Sequence, residues 1–252
     1  MLATVVNTRG QSLVDFGVDD FVISEGGQAR EVLDVHVADY PVAIVVDDLA
    51  PAATWPVIQS AVGRFITRIG ERPVIIATLS SDGAVLASFD DERAAVLERL
   101  RSFTPRLDAP LTALASIAAV SRQLKAIETP FSAIVVVAAR GIDAADPVRG
   151  ELLPVIVDSG ANVHVVESRS GVPPVAERAD ADLLRVIATQ THGQYTTIYA
   201  SASFSIALDR LADRLAAELM IQYLVPPGER TVDVQVGVRR PGAKVLGLGV
   251  SR

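Results

Sequence analysis

Three observations predict an α/β fold with a mostly parallel sheet wrapped by helices and a small β module made from the two chain ends. First, continuously apolar runs recur through the middle of the chain, among them Val42-Ala43-Ile44-Val45-Val46 and Ala133-Ile134-Val135-Val136-Val137-Ala138. Such runs suit strands covered on both faces. Second, segments with helical apolar spacing separate them, the grammar of strand–helix–strand units. Third, both ends read as short strands with tight turns and no intervening helix.

The elements follow in order. Ala3-Thr4-Val5-Val6 is strand-like and turns at Arg9-Gly10. Phe21-Val22-Ile23-Ser24 is expected to pair with Val32-Leu33-Asp34-Val35-His36-Val37 across Glu25-Gly26-Gly27-Gln28, because glycine tolerates the positive φ of a tight hairpin. After the first apolar strand, Thr54 is placed to cap a helix carrying Val57, Ile58, Val62, Phe65, Ile66 and Ile69, with Gly70 ending it. Val74 to Leu79 is a second buried strand, and Ser81-Asp82-Gly83 turns it into an antiparallel partner, Ala84 to Phe89. Asp90 caps the next helix, with Val96, Leu97, Leu100 and Phe103 inward.

A helix from Thr112 to Ile127 precedes the Ala133 strand. Asp146-Pro147 opens a further helix that Pro154 should end or kink. The strand Asn162 to Val166, the helix Asp182 to Thr191, the short strand Tyr195 to Tyr199 and a last helix, Ser203 to Ile221, complete the core. After Pro226-Pro227-Gly228, Val232, Val234, Val236 and Val238 alternate with Thr231, Asp233, Gln235 and Gly237, and Arg239 to Gly242 turns into Lys244-Val245-Leu246. The expected division is a β arm at 1–39, an α/β domain at 40–225 and a completing β arm at 226–252. A lone hairpin is marginal in water, so the two arms should form one module.

Composition narrows function. The 252 residues carry 23 Lys+Arg against 30 Asp+Glu, a formal charge of −7, and no cysteine. Thiolate metal sites, disulfides and cysteine nucleophiles are thereby excluded. The acidic balance opposes a nucleic-acid binder, which needs clustered Lys/Arg. No apolar run is long enough to span a bilayer, about 18 residues, and Met1 to Asn7 does not read as a signal peptide. No nucleophile elbow, P-loop or dinucleotide fingerprint occurs, and Gly247-Leu248-Gly249 has no helix after it. His36, His164 and His192 show no ligand spacing, and Asp90-Asp91 reads as a helix start, where carboxylates are favoured.

The order of elements resembles a von Willebrand factor type A domain, and the flanks sharpen the likeness. Asn7 to Val14, followed by Asp20-Phe21-Val22-Ile23-Ser24-Glu25-Gly26-Gly27-Gln28, resembles the lead-in of the acidobacterial-type VWFA-related family, a D-x-x-G-x-x-V turn and a D-F-x-V-x-E-D-G hairpin. Gln222 to Gly228 and Val236 to Gly242 resemble its terminal Y-x-L-x-Y-x-P and R-P-G pair. The resemblance implies a Rossmann-like A domain, its mostly parallel sheet bearing one antiparallel edge strand and helices on both faces. It also implies a metal-ion-dependent adhesion site beyond the strand ends after Val46 and Ala138. A divalent cation there takes hard oxygens: one Asp and two Ser from D-x-S-x-S, a Thr, and often a second Asp.

The chain departs from that pattern. Asp47-Asp48-Leu49-Ala50-Pro51 keeps the aspartate but puts Leu49 and Pro51 at the serine positions. Thr112, within Pro110-Leu111-Thr112-Ala113-Leu114, matches the threonine without its glycines, and Arg140-Gly141 stands where the family has D-G. The expectation is a degenerate site with no cofactor and no bound cation, and one hypothesis for it puts the Arg140 guanidinium where the ion would be, paired with Asp47. Against it stands the blander reading that Arg140 faces solvent and Asp47 caps loop amides. Asp48, with Asp143 nearby, is the candidate for rescuing cation binding.

The function expected is non-enzymatic binding of another protein through the loops Asp47–Trp55, Pro110–Thr112 and Arg140–Asp143, with Trp55 either an exposed contact or packing for the first helix. Three competitors are weak Mg²⁺/Ca²⁺-dependent adhesion through Asp47, Asp48 and Thr112, an α/β enzyme at the same crevice, and a structural domain of a larger assembly. The resemblance alone suggests an exported protein.

Overall fold

The computed structural model describes residues 1–80, 84–105, 112–140, 148–169, 182–225 and 233–249. The chain divides into two units, Met1–Asp39 together with Ala212–Arg252, and Tyr40–Leu211. The N-terminal arm supplies β1 (Leu2–Val6), β2 (Ser12–Leu13), β3 (Phe21–Glu25), β4 (Gln28–Arg30) and β5 (Val32–Val37). Gly26 and Gly27 take φ of +57° and +81°, so a two-residue turn closes the β3–β4 hairpin with Glu25 opposite Gln28. The hairpin expected with Val32–Val37 is therefore corrected. So tight a turn pairs β3 with the residues immediately after it, and Val32–Val37 joins a different sheet.

Tyr40–Leu211 contains β6 (Val42–Val46), α1 (Trp55–Arg68), β7 (Val74–Thr78), β8 (Val85–Ala87), α2 (Arg93–Ser102), α3 (Ala113–Ala126), β9 (Ala133–Ala138), α4 (Arg149–Val157), β10 (Asn162–Ser168), α5 (Leu183–Gln190), β11 (Tyr195–Ile198) and the start of α6 (Ser203–Ala216). The strands form a six-stranded sheet in the order β11-β10-β9-β6-β7-β8. All neighbours are parallel except the edge pair β7–β8. Every residue of β6, β7 and β9 is buried. On one face Ala43, Val45, Ile134, Val136 and Val163 pack with residues of α3, α4 and α5. The alternate set, Val42, Ile44, Val135 and Val137, is just as inaccessible, and α1, α2 and α6 carry further buried side chains, among them Ile58, Phe65, Leu100 and Phe204. Strand order reverses between β6 and β9, which places their carboxyl ends at the switch point of the sheet.

Two local expectations are corrected here, and of the two outcomes foreseen for Pro154 the end of the helix does not occur at it. Thr54 stands at the start of α1 but its hydroxyl makes no capping bond, and the Pro51 carbonyl instead accepts the N–H groups of Thr54 and Trp55 at 2.7 and 3.0 Å. Asp90 does not cap α2, which begins after Glu92, while Asp91 closes a turn by accepting the Ser88 N–H at 2.7 Å. Pro154 lies inside α4, which continues to Val157. Ser81-Asp82-Gly83, Asp146-Pro147 and Pro226-Pro227-Gly228 lie outside the described residues.

The last strands are β12 (Glu218–Tyr223), β13 (Val234–Val238) and β14 (Lys244–Gly249). With the N-terminal arm they build two antiparallel sheets, β14-β1-β12-β5 with β2 on β1, and β13-β3-β4. A core of Ala3, Val5, Phe21, Ile23, Leu219 and Ile221 joins the inner faces. These antiparallel sheets fall outside a Rossmann-like description. The last helix, expected to reach Ile221, ends at Ala216, and Glu218–Tyr223 is a strand held between β1 and β5 rather than part of the α/β domain. Sheet pairing on both edges outweighs a helical pattern that Leu208, Leu211, Leu215 and Leu219 would otherwise continue.

Candidate functional site at the strand ends

The carboxyl ends of β6, β7 and β9 converge on one polar cluster. The Asp47 backbone N–H donates to the Val137 carbonyl at 2.9 Å, so the residue extends the β6–β9 ladder by one step before the chain turns. Its carboxylate is buried. Oδ1 accepts the Leu49 N–H at 3.0 Å, and Oδ2 accepts the Ala139 N–H at 2.9 Å. Arg140 Nε lies 3.7 Å from Oδ2, and Arg140 Nη2 donates to the Leu49 carbonyl. Burial pushes the Asp47 carboxyl above its ordinary pKa, although the Ala139 N–H and the Arg140 charge both pull the other way. Loop amides and guanidinium thus both meet the one carboxylate, and the two readings opposed in the sequence describe one arrangement.

Asp48 is buried beside it and turned toward β7. Oδ1 accepts the Ser80 N–H at 3.0 Å and Oδ2 accepts the Ser80 hydroxyl. The Leu79 N–H donates to the Val46 carbonyl at 2.9 Å, and the Thr112 N–H reaches the Leu79 carbonyl at 3.3 Å. Thr112 begins α3, with its hydroxyl 3.5 Å from that of Ser116. All four carboxylate oxygens of Asp47 and Asp48 therefore accept hydrogen bonds from within the protein.

Of the remaining nominated residues, Leu49 buries its side chain and gives its backbone to Asp47 and Arg140. Pro51 is exposed. Trp55 is not an exposed contact: it is buried edge-on to Phe103, ring centroids 5.5 Å apart, because its position in the first turn of α1 faces the core. Gly141, Asp143, Pro110 and Leu111 lie outside the described residues. Among the described residues no cluster of three His, Cys, Asp or Glu side chains is arranged to hold a metal ion.

Ser80 and Ala139 are partners that the sequence did not nominate. Ala139 acts only through its backbone, which has no residue signature. Ser80 follows a buried strand, and its position after β7, next to β6, was the available signal.

A second polar cluster, also not anticipated, lies at the end of β10. Glu167 is fully buried, and its carboxylate contacts Tyr195 Oη at 2.5 Å and Arg169 Nε at 3.0 Å. Tyr195 Oη and Arg169 also meet Asp182, which in turn caps α5 through the Arg185 N–H at 3.3 Å. The Arg185 guanidinium stacks on the Tyr195 ring at 4.7 Å. Burial pushes the Glu167 carboxyl and the Tyr195 phenol upward. Glu167 lies in β10 and Arg169 one residue past its end, where the Arg169 N–H still donates to the Ile198 carbonyl, so the two stand on one face and that spacing is a legible signal of their contact.

No helix among the described residues is long and apolar enough to cross a membrane. No protein-family model matches the sequence, and no curated protein sequence does. Solved structures do match. A von Willebrand factor type A protein from Catenulispora acidiphila aligns at 13% identity and a TM-score of 0.52, over 85% of this chain and 50% of that one. Proximal thread matrix protein 1 from the mussel byssus aligns at 12% identity and 0.54, over 71% and 48%. A second structure of that protein, described with zinc in its metal-ion-dependent adhesion motif, aligns at 11% and 0.53. The chain spans about half the length of these structures. In fold, then, it is similar to von Willebrand factor type A domains.

Proposed function

We propose that the chain is a non-enzymatic protein-interaction or adhesion module of von Willebrand A type, whose apex is organised without a divalent cation. The observation that carries this reading is the Asp47 carboxylate, held by the N–H groups of Leu49 and Ala139 and flanked by Arg140. Mg²⁺ asks for an octahedral shell of hard oxygens. Here Leu49 and Pro51 offer no side-chain oxygen, Asp48 is committed to Ser80, and a cation would meet the Arg140 charge. The donor set does not fit the ion. The non-enzymatic part of the proposal rests on the placement of the histidines in β5, in β10 and after α5, none of them in the residues that follow β6, β7 and β9.

Thermal unfolding in chelator and in millimolar Mg²⁺ or Ca²⁺ tests the cation-free apex. An ion bound at 100 times its Kd would stabilise the fold by about 2.7 kcal/mol, and no such shift is expected. A manganese-soaked crystal with an anomalous peak on Asp47 would overturn the reading in favour of residual binding through Asp47, Asp48 and Thr112. The contact surface is expected at Arg140 and Pro51, both exposed. Once a partner is identified, undiminished binding by the double variant Arg140→Ala, Pro51→Ser removes the apex from the interface.

A further inference from the structure

Helices α1 and α2 enclose a groove of about 530 Å³ that lies along the helices rather than at the strand ends. In a chain of net charge −7, its lining holds three guanidinium groups, Arg64, Arg68 and Arg101, and no carboxylate. Asp209 on α6 contacts Arg64 and lies 3.9 Å from Arg68 Nε, holding both side chains at the rim. Arg101 is 69% exposed and stands 3.7 Å from the similarly exposed Glu98, a surface pair of little worth. The end of α2 would ordinarily add negative character through its last carbonyls. Gln59 suppresses it, because its side-chain amide donates to the carbonyls of Leu100 and Arg101 at 2.8 and 3.0 Å.

Among these polar residues Leu97 and Leu100 form an apolar spot beside Gly63. Gly63 sits in the middle of α1, where glycine costs about 1 kcal/mol relative to alanine. No backbone constraint there demands it: a Cβ would meet only Leu97 Cδ2, at an ordinary 3.9 Å. What glycine does at this position is keep the space beside Leu97 and Leu100 open.

We propose that this groove binds a short acidic segment of a partner protein, one apolar side chain resting over Gly63 and Leu97 and carboxylates pairing with Arg64 and Arg101. The volume falls within the range of about 300–1,000 Å³ that holds a small ligand or a few side chains. Guanidinium forks match carboxylates in geometry as well as charge. A nucleic acid fits less well, since the rest of this acidic chain, of net charge −7, repels phosphates. The inference is independent of the apex, and either can fail alone.

The test uses the full chain and a fluorescein-labelled nonapeptide of aspartate and glutamate with one central leucine, followed by anisotropy at low and high salt. Saturable, salt-sensitive binding is expected, at least tenfold weaker when serine replaces the leucine and at least tenfold weaker for Arg101→Glu. Gly63→Gln should fill the groove and abolish binding while melting no lower than the parent, which separates occlusion from unfolding. No saturable binding by the parent chain, undiminished binding by folded Gly63→Gln or Arg101→Glu, or tighter binding of a single-stranded oligonucleotide of equal charge overturns the proposal.

Discussion

The Asp47 carboxylate accepts the backbone N–H of Ala139, joining two strand ends that are 92 positions apart in sequence. With the Leu49 N–H on its other oxygen, it closes the point where strand order reverses. Asp47→Ala removes both acceptors and leaves two N–H groups short of partners, and each buried orphan costs about 1–3 kcal/mol. A loss of about 3 kcal/mol in urea unfolding is expected. Asp47→Asn keeps one acceptor oxygen and should lose less. Equal stability of the alanine variant and the parent would show that this carboxylate organises nothing.

Arg140 gives the complementary expectation. Its side chain is 48% exposed and its Nε stands 3.7 Å from Asp47, so solvent screens most of the attraction. Arg140→Ala should cost under about 1 kcal/mol, well below Asp47→Ala. If the two variants lost the same stability, the ion pair rather than the amide bonds would hold the apex together.

Ser80→Ala deletes the hydroxyl bond to Asp48 and leaves the backbone bond at 3.0 Å. Hydrogen bonds to charged groups are worth about 1.5–3 kcal/mol, and denaturation should register a loss in that range. The variant also sharpens the cation question. It frees an oxygen of Asp48, and a Mg²⁺-dependent rise in melting temperature in Ser80→Ala but not in the parent would identify the serine as what keeps that carboxylate from an ion.

Much of the α/β unit was legible because β6, β7 and β9 are written as unbroken apolar runs, and the candidate site follows from where those runs end. What escaped has physical causes. Glu218–Tyr223 continues the leucine spacing of α6 without a glycine or proline to punctuate it, and its strand character comes from β1 and β5, both distant in sequence. The β3–β4 hairpin hides behind Gln28-Ala29-Arg30, a segment with one small apolar residue between two polar ones, which pairs because the glycine turn brings it there. At the site, the aspartates and Arg140 were readable as charges in loops, whereas the donors they meet are backbone N–H groups that every residue carries.

Glu167 carries the pH dependence most open to measurement. Tyr195 Oη stands within hydrogen-bond reach of Glu167, Asp182 and Arg169 Nη2, the last at 3.1 Å. Arg169 donates into the phenol oxygen, and the phenol has one hydrogen to give, so the contact with the second carboxylate requires a proton on a carboxyl group. Glu167 is the group whose burial favours that proton. Its pKa in the fold is raised above the ordinary 4.5, so above that value the unfolded chain has released a proton that the folded chain still holds. Stability from this group is therefore complete below 4.5 and declines as pH rises through the folded value, after which it levels. Glu167→Gln places a non-titrating donor against Tyr195 and should flatten that decline in a pH series of urea midpoints, while Tyr195→Phe should lower stability throughout. Asp47 slopes in the same direction, so the Glu167→Gln series is run again on an Asp47→Asn background to separate the two groups. An unchanged slope in both backgrounds would mean that Glu167 is ionised in the folded chain and that Arg169 alone compensates the carboxylate pair.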